Sequence, residues 1–413
     1  MKKIRLSNPV IVAQSTTEPI LFGGYQDPYI RHSEDGALYV RFNARHDNWL
    51  TFGEEEKNPV YRSTDGGESW SYVENGQDEW LRAGTRLPNG DIFYFREYPV
   101  LPKETLPELP PLPKDREMKW GGMKVYLVDE LTGVLGDRVA KEIKAYRIKA
   151  GTSEVVEETC PVIWDKMPVV LHGDGFLIRV FPHPSLCMKV DKNGVLWMPV
   201  DAPAVGDDGK LLSLRRCTAL LHSTDMGHTW EYVSHIIYKE EFNCPTAIDV
   251  EGFMECSLEF VADGSAIAIL RSGSIHPFIP GDDDHPAPIM MWTRSYDGCK
   301  TWEEPQKFHD YGVLPVTRML KDGTILLSSG RPGVYLRASC DPLAKEWTDI
   351  VPVVSVPKEE IYTRYYEYTC CNTSLAVTGD NEAMLAYSDF TLTAPNGERA
   401  KSIMVRKITI EDL

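Results

Sequence analysis

The segment Ser63-Thr64-Asp65-Gly66-Gly67-Glu68-Ser69-Trp70 recurs in this chain of 413 residues. Residues 223–230 read STDMGHTW, residues 295–302 read SYDGCKTW, and a degenerate fourth copy occupies residues 339–347. The pattern is S-x-D-x-G-x-[ST]-W, except that the third copy has its glycine one place early, at Gly298. An Asp that accepts backbone N–H bonds, a glycine with positive φ and a Trp that packs on a sheet are typical of a hairpin turn. The repeat therefore predicts a chain built from similar β units.

A second pattern is a turn containing glycine between two apolar runs, and it occurs six times. Asn-Gly or Asp-Gly between such runs is the strongest local signal for a β-hairpin, and we expect type I′ turns with positive φ at both central residues. The six turns are at Asp35-Gly36, Asn89-Gly90, Asn193-Gly194, Asp263-Gly264, Asp322-Gly323 and Gly379-Asp380.

The six hairpins divide the chain into units of roughly 60 to 70 residues, which is the size of a four-stranded propeller blade. Closing such blades into a ring removes the exposed edges of the sheets. We therefore predict an all-β fold, a six-bladed β-propeller of four-stranded antiparallel blades that forms a single domain over residues 1–413. The second and third turns are 104 residues apart. We expect an insertion or an elaborated blade around residues 99–150, with a small separate domain as the alternative.

The repeated turns resemble the Asp boxes, or BNR repeats, of the sialidase (neuraminidase) superfamily. The resemblance covers essentially the whole chain and implies the same six-bladed propeller. Asp boxes lie on the outer rim of that fold and say little about chemistry. Functional residues are therefore expected where the inner strands meet the central axis.

Composition excludes several classes of partner. The formal net charge is −17, from 44 Lys and Arg against 61 Asp and Glu. This balance argues against binding to nucleic acid or to an anionic membrane surface. No apolar run has the length of a signal peptide or a transmembrane helix, and the odd count of nine cysteines is read as reduced thiols. From these two features we expect a cytoplasmic protein. We expect no metal site, since no C-x-x-C pair occurs, and no cofactor.

Two stretches resemble the sialidase active site. That family grips the substrate carboxylate with three arginines and uses a Tyr nucleophile, polarised by a Glu, and an Asp acid/base. The resemblance matches Glu255 to the catalytic Glu, Arg271 to the second arginine and Arg331 to the third. Arg318 and Arg337 are the alternatives to Arg331. A guanidinium binds a carboxylate bidentately and stays charged, which suits an acidic sugar.

Two positions depart from the family pattern. Gln26 stands where the first arginine is expected, and an amide forms hydrogen bonds but neutralises no carboxylate. Asn372 stands near the position of the nucleophilic Tyr. Tyr365, Tyr366 and Tyr368 lie a few residues upstream and are the alternative nucleophiles, although packing roles are equally compatible with the sequence.

The acid/base has several candidates before the first repeated turn. Asp47 is nearest to the family position, and Asp27, Glu54 and Glu55 are also in range. Arg45 would supply the missing positive charge from a different strand.

The sequence leaves three functions open. The first is an exo-acting, sialidase-like glycoside hydrolase for a terminal, acidic sugar, with a glycan or small sugar as its substrate. The second is a glycosidase for a neutral sugar such as arabinose, which uses two carboxylates with Glu255 as one of them. The third is a non-catalytic propeller that binds a glycan or serves as a scaffold.

Overall fold

The computed structural model describes residues 2–17, 20, 24–44, 58–82, 84–95, 101–119, 122–173, 175–179, 188–242, 250–274, 289–309, 312–361 and 364–412. Within these ranges the fold consists of antiparallel β-sheets with two short α-helices and a few 3-10 turns. None of the described helices is long and apolar enough to cross a membrane.

The chain begins with two strands that pair antiparallel with its last strand. A four-stranded sheet follows, whose strands are adjacent in chain order. These elements are β1 (Lys2–Leu6), β2 (Val10–Ser15), β3 (Gln26–His32), β4 (Leu38–Asn43), β5 (Val60–Ser63) and β6 (Ser71–Tyr72).

The next part of the chain is the most elaborate and contains both helices. Its elements are α1 (Gln77–Arg82), β7 (Thr85–Arg86), β8 (Ile92–Phe95), β9 (Leu101–Pro102), β10 (Lys124–Leu127), α2 (Val128–Leu135), β11 (Glu142–Ile148), β12 (Val155–Ile163), β13 (Pro168–His172) and β14 (Phe176–Arg179). Strands β9, β10, β13 and β14 form a four-stranded sheet of their own.

Three further groups of four strands follow in regular succession. They are β15 (Lys189–Val190), β16 (Leu196–Ala202), β17 (Cys217–Ser223) and β18 (Trp230–Ile236); β19 (Val250–Phe260), β20 (Ala266–Ser274), β21 (Ile289–Ser295) and β22 (Gln306–His309); and β23 (Val313–Met319), β24 (Ile325–Gly330), β25 (Val334–Ser339) and β26 (Val351–Val354). The last strands are β27 (Thr373–Val377), β28 (Glu382–Asp389) and β29 (Lys401–Asp412).

The sheets are not six equal groups of four strands. Strands β27, β28 and β29 join β1 and β2 in a five-stranded sheet, and β7, β8, β11 and β12 join β15 to β18 in an eight-stranded sheet. That larger sheet is held together by a parallel pairing of two residues of β12 with two of β18. The all-β antiparallel fold is therefore confirmed, whereas the number of blades stays a prediction.

All six predicted hairpins pair antiparallel in the structure. The predicted turn type is wrong, because in the first five turns only the glycine has positive φ. In the first of them the Gly36 N–H donates to the Ser33 carbonyl at 3.1 Å, and the Ser33 N–H donates to the Ala37 carbonyl at 2.9 Å. This is a type I turn followed by a left-handed glycine. The Asp35 carboxylate accepts the Ala37 N–H at 3.1 Å, so it caps the turn instead of adopting positive φ.

The three repeated turns join the third and fourth strands of their sheets and share one hydrogen-bond pattern. In the first copy the Ser63 hydroxyl donates to Asp65 at 2.7 Å and accepts the Gly67 N–H at 2.9 Å, while the Ser69 N–H donates to Asp65 at 3.0 Å. The same bonds recur in the other two copies. Hydrogen bonds from Thr301 lower the pKa of Asp297 to about 2 in the third copy.

Candidate functional site

The first strands of four sheets lie side by side, in the order β19, β23, β27 and β3. In or just before each of these strands, one residue has a left-handed backbone at the same place, eight residues before the hairpin turn. These residues are Glu255 (φ 49°), Leu314 (φ 47°), Cys371 (φ 72°) and Asp27 (φ 50°). We call this row the inner edge. Positive φ is uncommon away from glycine and tends to mark functional positions, so four equivalent cases point to a site.

A β-bulge aims the Glu255 side chain. The pairing of β19 with β20 shifts register between Met254 and Ser257, so Glu255 belongs to the bulge. Bulges redirect side chains and are frequent beside active sites. The Glu255 carboxylate accepts the Arg271 Nη1–H at 2.6 Å through Oε1 and the Leu314 N–H at 2.8 Å through Oε2. The structure thus brings together the predicted residues Glu255 and Arg271.

A second carboxylate lies at the same bulge. The Glu255 N–H donates to Asp201 Oδ1 at 3.0 Å, from the end of strand β16. Burial raises the pKa of Asp201 to about 7, the Arg216 guanidinium opposes this rise, and the Glu255 carboxylate adds to it. Asp201 therefore holds a proton far more readily than an ordinary aspartic acid, while the Arg271 ion pair favours the charged form of Glu255.

The two arginines are held by a third carboxylate. The Arg271 Nη2–H donates to buried Glu251 at 3.3 Å, and Glu251 also interacts electrostatically with Arg216. The backbone of Arg216 packs against Gly252, where an added Cβ would lie 2.3 Å from the Arg216 carbonyl oxygen. This close approach explains the glycine, and it fixes Arg216 beside Asp201.

Sequence reasoning missed Asp201, Glu251 and Arg216. One signal was present: Asp201 follows Gly194 by seven residues, as Arg271 follows Gly264 by seven. This equal spacing predicts that Asp201 and Arg271 occupy equivalent positions on the second strands of their hairpins. Both side chains are then expected at the same end of the sheets.

A different pair of predicted residues meets at the other end of the inner edge. The Asn372 side-chain amide donates to the Asp27 carboxylate, and both side chains are partly exposed. Gln26 precedes Asp27, is 1% exposed, and pairs in register with Asn43 on strand β4. Neither amide atom of Gln26 has a hydrogen-bond partner among the described residues.

Arg331 lies between these two groups. It follows strand β24, has a φ of 50°, and interacts with the buried thiol of Cys371. The preceding Gly330 is packed so tightly on Cys371 that an added Cβ would overlap the Cys371 carbonyl. The alternative Arg337 instead donates to the Thr348 carbonyl at 2.9 Å and lies 5.1 Å from the Phe308 ring. Arg318 donates to the carbonyl of Thr317 at 2.9 Å.

Tyr368 binds a different glutamate from the one that the resemblance implied. Its hydroxyl donates to Glu360 Oε2 at 2.6 Å, and this hydrogen bond raises the pKa of Tyr368. Tyr366 is partly buried and packs against the main hydrophobic core. A nucleophilic role for either tyrosine stays a prediction. The other predicted site residues lie outside the part of the chain that the structure describes; they are Asp47, Arg45, Glu54, Glu55 and, for its side chain, Tyr365.

Comparison with solved structures supports the fold. The chain is similar to a crystal structure of an unknown-function protein from Dyadobacter fermentans DSM 18053, with 17% identity, a TM-score of 0.59 and 99% of each chain covered. An α-L-arabinanase from Penicillium chrysogenum, solved with arabinobiose, matches at 14% identity and a TM-score of 0.47, covering 97% of this chain and 98% of that one. An intramolecular trans-sialidase from Ruminococcus gnavus matches at 14% identity and a TM-score of 0.43, covering 98% and 97%. No protein-family model and no curated sequence matches.

The arrangement suits acid and base chemistry on one small substrate. The cluster around Glu255 contains three carboxyl groups, from Asp201, Glu251 and Glu255, and two guanidinium groups, from Arg216 and Arg271. The cluster as a whole is therefore not cationic. Two carboxyl groups with environments that separate their protonation are what glycoside hydrolysis needs. Among the described residues, no group of three or more His, Cys, Asp or Glu side chains has the geometry to hold a metal ion.

Proposed function

We propose that this protein is a glycoside hydrolase for an uncharged sugar, with Asp201 as general acid and Glu255 as the carboxylate base or nucleophile. The observation that carries the proposal is the Glu255 bulge, whose N–H binds Asp201 while its own carboxylate binds Arg271. Protonated Asp201 would give its proton to the glycosidic oxygen as the bond to the anomeric carbon breaks. Glu255 would attack that carbon, and a water molecule that gives its proton to Asp201 would then displace Glu255, which restores both carboxyl groups. If Glu255 instead took a proton from the attacking water, that proton would have to pass through solvent back to Asp201 before the next turnover.

We infer that the fold around this site is a six-bladed propeller in a single domain. Strands β7, β8, β11 and β12 and strands β15 to β18 form two groups of four that share only the short parallel pairing, so they can be counted as two blades. The other three four-stranded groups in chain order and the sheet of the chain ends would be the remaining blades. Strands β9, β10, β13 and β14 with helix α2 would be the insertion.

The charges favour an uncharged sugar over an acidic one. Arg271, which the resemblance assigned to the substrate carboxylate, is shared by Glu251 and Glu255 at 3.3 and 2.6 Å. Gln26, in place of another arginine, brings no charge. An acidic sugar remains the second candidate because Arg331 also lies along the inner edge, beside Cys371.

The test is hydrolysis of a panel of 4-nitrophenyl glycosides, neutral pentosides and hexosides beside a glucuronide and a sialoside. We expect turnover of a neutral member and a loss of about 10²- to 10⁴-fold in kcat for Glu255→Gln and for Asp201→Asn. The matched control is Glu259→Gln on the same strand, because Glu259 is a buried glutamate that pairs with Lys189 at 2.6 Å instead of with Arg271.

The same panel distinguishes the other functions. Turnover of the anionic glycosides alone would support the acidic-sugar enzyme. Binding of a glycan without any turnover, and with the same affinity in Glu255→Gln, would instead support a non-catalytic propeller.

A further inference from the structure

We propose that Asp27 and Asn372 form a subsite that binds hydroxyl groups of the sugar and rejects anionic ones. This inference rests on the proposed glycoside hydrolase function and names the feature that selects its substrate.

The subsite is connected to the catalytic pair by contacts along the inner edge. Glu255 binds the Leu314 N–H of the neighbouring strand β23. The next strand in the row is β27, which Asn372 immediately precedes, and Asn372 in turn binds Asp27 of strand β3. Asp27 and Glu255 occupy equivalent left-handed positions, each eight residues before the hairpin turn of its strand, so we expect their side chains to lie at the same level of the inner edge. One sugar chain lying along this edge would meet both.

The chemistry of the pair fits a neutral, hydroxylated ring. A carboxylate only accepts hydrogen bonds, whereas an amide both donates and accepts, so together they match a hydroxyl group that does both. Both side chains are partly exposed and therefore accessible. The Asp27 charge would repel a sugar carboxylate, and its neighbour Gln26 stands where the resemblance would place an arginine.

A second observation points to a ligand at this place. Gln26 adjoins Asp27 and opposes Asn43 across the bulge in β3. Its amide is 1% exposed and both polar atoms lack partners among the described residues. A buried, unpaired amide is costly in a packed protein core, and a ligand that reaches Gln26 would complete its hydrogen bonds. We expect a small movement of the bulge on sugar binding to bring Gln26 into that network.

The experiment combines variants with deoxy substrates. The variants are Asp27→Ala and Asn372→Ala, and the control is Asn396→Ala, which removes an equivalent amide–carboxylate contact, to Glu398, in an exposed loop. The substrates are the 4-nitrophenyl glycoside that the wild type cleaves best and its analogues lacking one hydroxyl each. Circular dichroism melting confirms that each variant folds.

We expect Asp27→Ala to lower kcat/KM on the parent glycoside by about 10- to 100-fold, as for loss of a hydrogen bond to a charged group. For the wild type, kcat/KM on one deoxy analogue should be lower than on the parent glycoside by the same factor. Asp27→Ala should cleave that analogue and the parent equally well, because the substitution and the missing hydroxyl remove the same hydrogen bond. Asp27→Asn should raise the activity on the glucuronide. An equal loss on every substrate, or no loss at all, would overturn the subsite.

A failure of the catalytic proposal gives a different result. If the wild type cleaves no glycoside, calorimetry with the free neutral sugars and with glucuronic acid takes the place of the rate measurement. Neutral-sugar binding that weakens in Asp27→Ala supports the subsite without the enzyme. Binding that is unchanged in that variant, or absent throughout, contradicts it.

Discussion

The backbone N–H of Glu255 donates to the carboxylate of Asp201 at 3.0 Å, across 54 residues of sequence. Glu255 thus binds Asp201 through its backbone and Arg271 through its carboxylate, and its backbone is in the left-handed conformation. Burial raises the pKa of Asp201 to about 7, whereas the Glu255 carboxylate is paired with Arg271 at 2.6 Å. In the proposed function, this relationship makes Asp201 the acid and Glu255 the base or nucleophile.

Activity should depend on the protonated form of Asp201. Because its pKa is raised to about 7, the acid is lost as the pH rises through neutrality, and kcat/KM should fall above about pH 7. In Asp201→Asn this alkaline limb should vanish, leaving a low, flat rate. Glycosides with a good leaving group, which need little protonation, should be affected least. An alkaline limb that persists in Asp201→Asn would assign the acid to another residue.

Asp201 should also make the fold less stable at high pH. Its pKa is 3.8 in the unfolded chain and about 7 in the folded one, so the folded state binds more protons between these values. The free energy of unfolding therefore falls as the pH rises from about 4 to about 7. We expect the melting temperature of Asp201→Asn, relative to wild type, to increase between pH 5 and pH 8.

Asp297→Asn provides a control of opposite sign for that measurement. The pKa of Asp297 is lowered to about 2, so its carboxylate stabilises the fold above about pH 4 and loses this effect as the pH falls through 2. The variant should be less stable than wild type at neutral pH and should approach it in strong acid. Equal pH profiles for the two variants would contradict both assignments.

Gly252→Ala should disrupt the site by displacing the backbone of Arg216. The new Cβ would lie 2.3 Å from the Arg216 carbonyl oxygen, and the φ of +101° is strained for any residue with a side chain. We expect a loss of about 2 to 4 kcal/mol in the free energy of unfolding, measured with urea, together with a lower kcat. Gly36→Ala is the matched control, since it has a φ of +83° but no atom within 4 Å of the added Cβ. It should cost about 1 kcal/mol and leave kcat unchanged.

Arg147 should be a main support of the eight-stranded sheet. Its buried guanidinium, 1% exposed, binds Asp91 at 3.2 Å, Glu158 at 2.8 Å and the carbonyl of Met226 at 2.9 Å. Arg147→Met would leave two carboxylates without their buried cation, and we expect a loss of about 3 to 5 kcal/mol in the free energy of unfolding.

Lys144→Met on the same strand is the control for Arg147→Met, because Lys144 is partly exposed and its pairing with Glu142 is near the surface. We expect it to change the free energy of unfolding by less than about 1 kcal/mol. Similar losses for the two variants would show that the Arg147 network is not a main support of the sheet.

The sequence by itself determined the local features of this protein. Six hairpins and three repeated turns were predicted because each is specified by a few neighbouring residues, such as the Asp65 carboxylate that binds the Ser69 N–H four positions later. Glu255 and Arg271 were selected through the family resemblance, with separate roles, and the structure shows that the hairpin of β19 and β20 pairs them. The predicted type of the hairpin turns was nevertheless wrong. In the first turn, the hydrogen bond from the Ala37 N–H to the Asp35 carboxylate competes with the left-handed conformation that the dipeptide Asp35-Gly36 predicts for Asp35.

Only the tertiary structure decided which distant residues share the site. Asp201 meets Glu255, Asn372 meets Asp27 across 345 residues, and Tyr368 binds Glu360 in place of the expected partner. Such contacts depend on how whole sheets pack side by side. Packing also shifts the pKa values, because the desolvation that raises the pKa of Asp201 comes from the surrounding sheets. The neighbouring residues along the chain determine neither the tertiary contacts of a side chain nor how far it is removed from water.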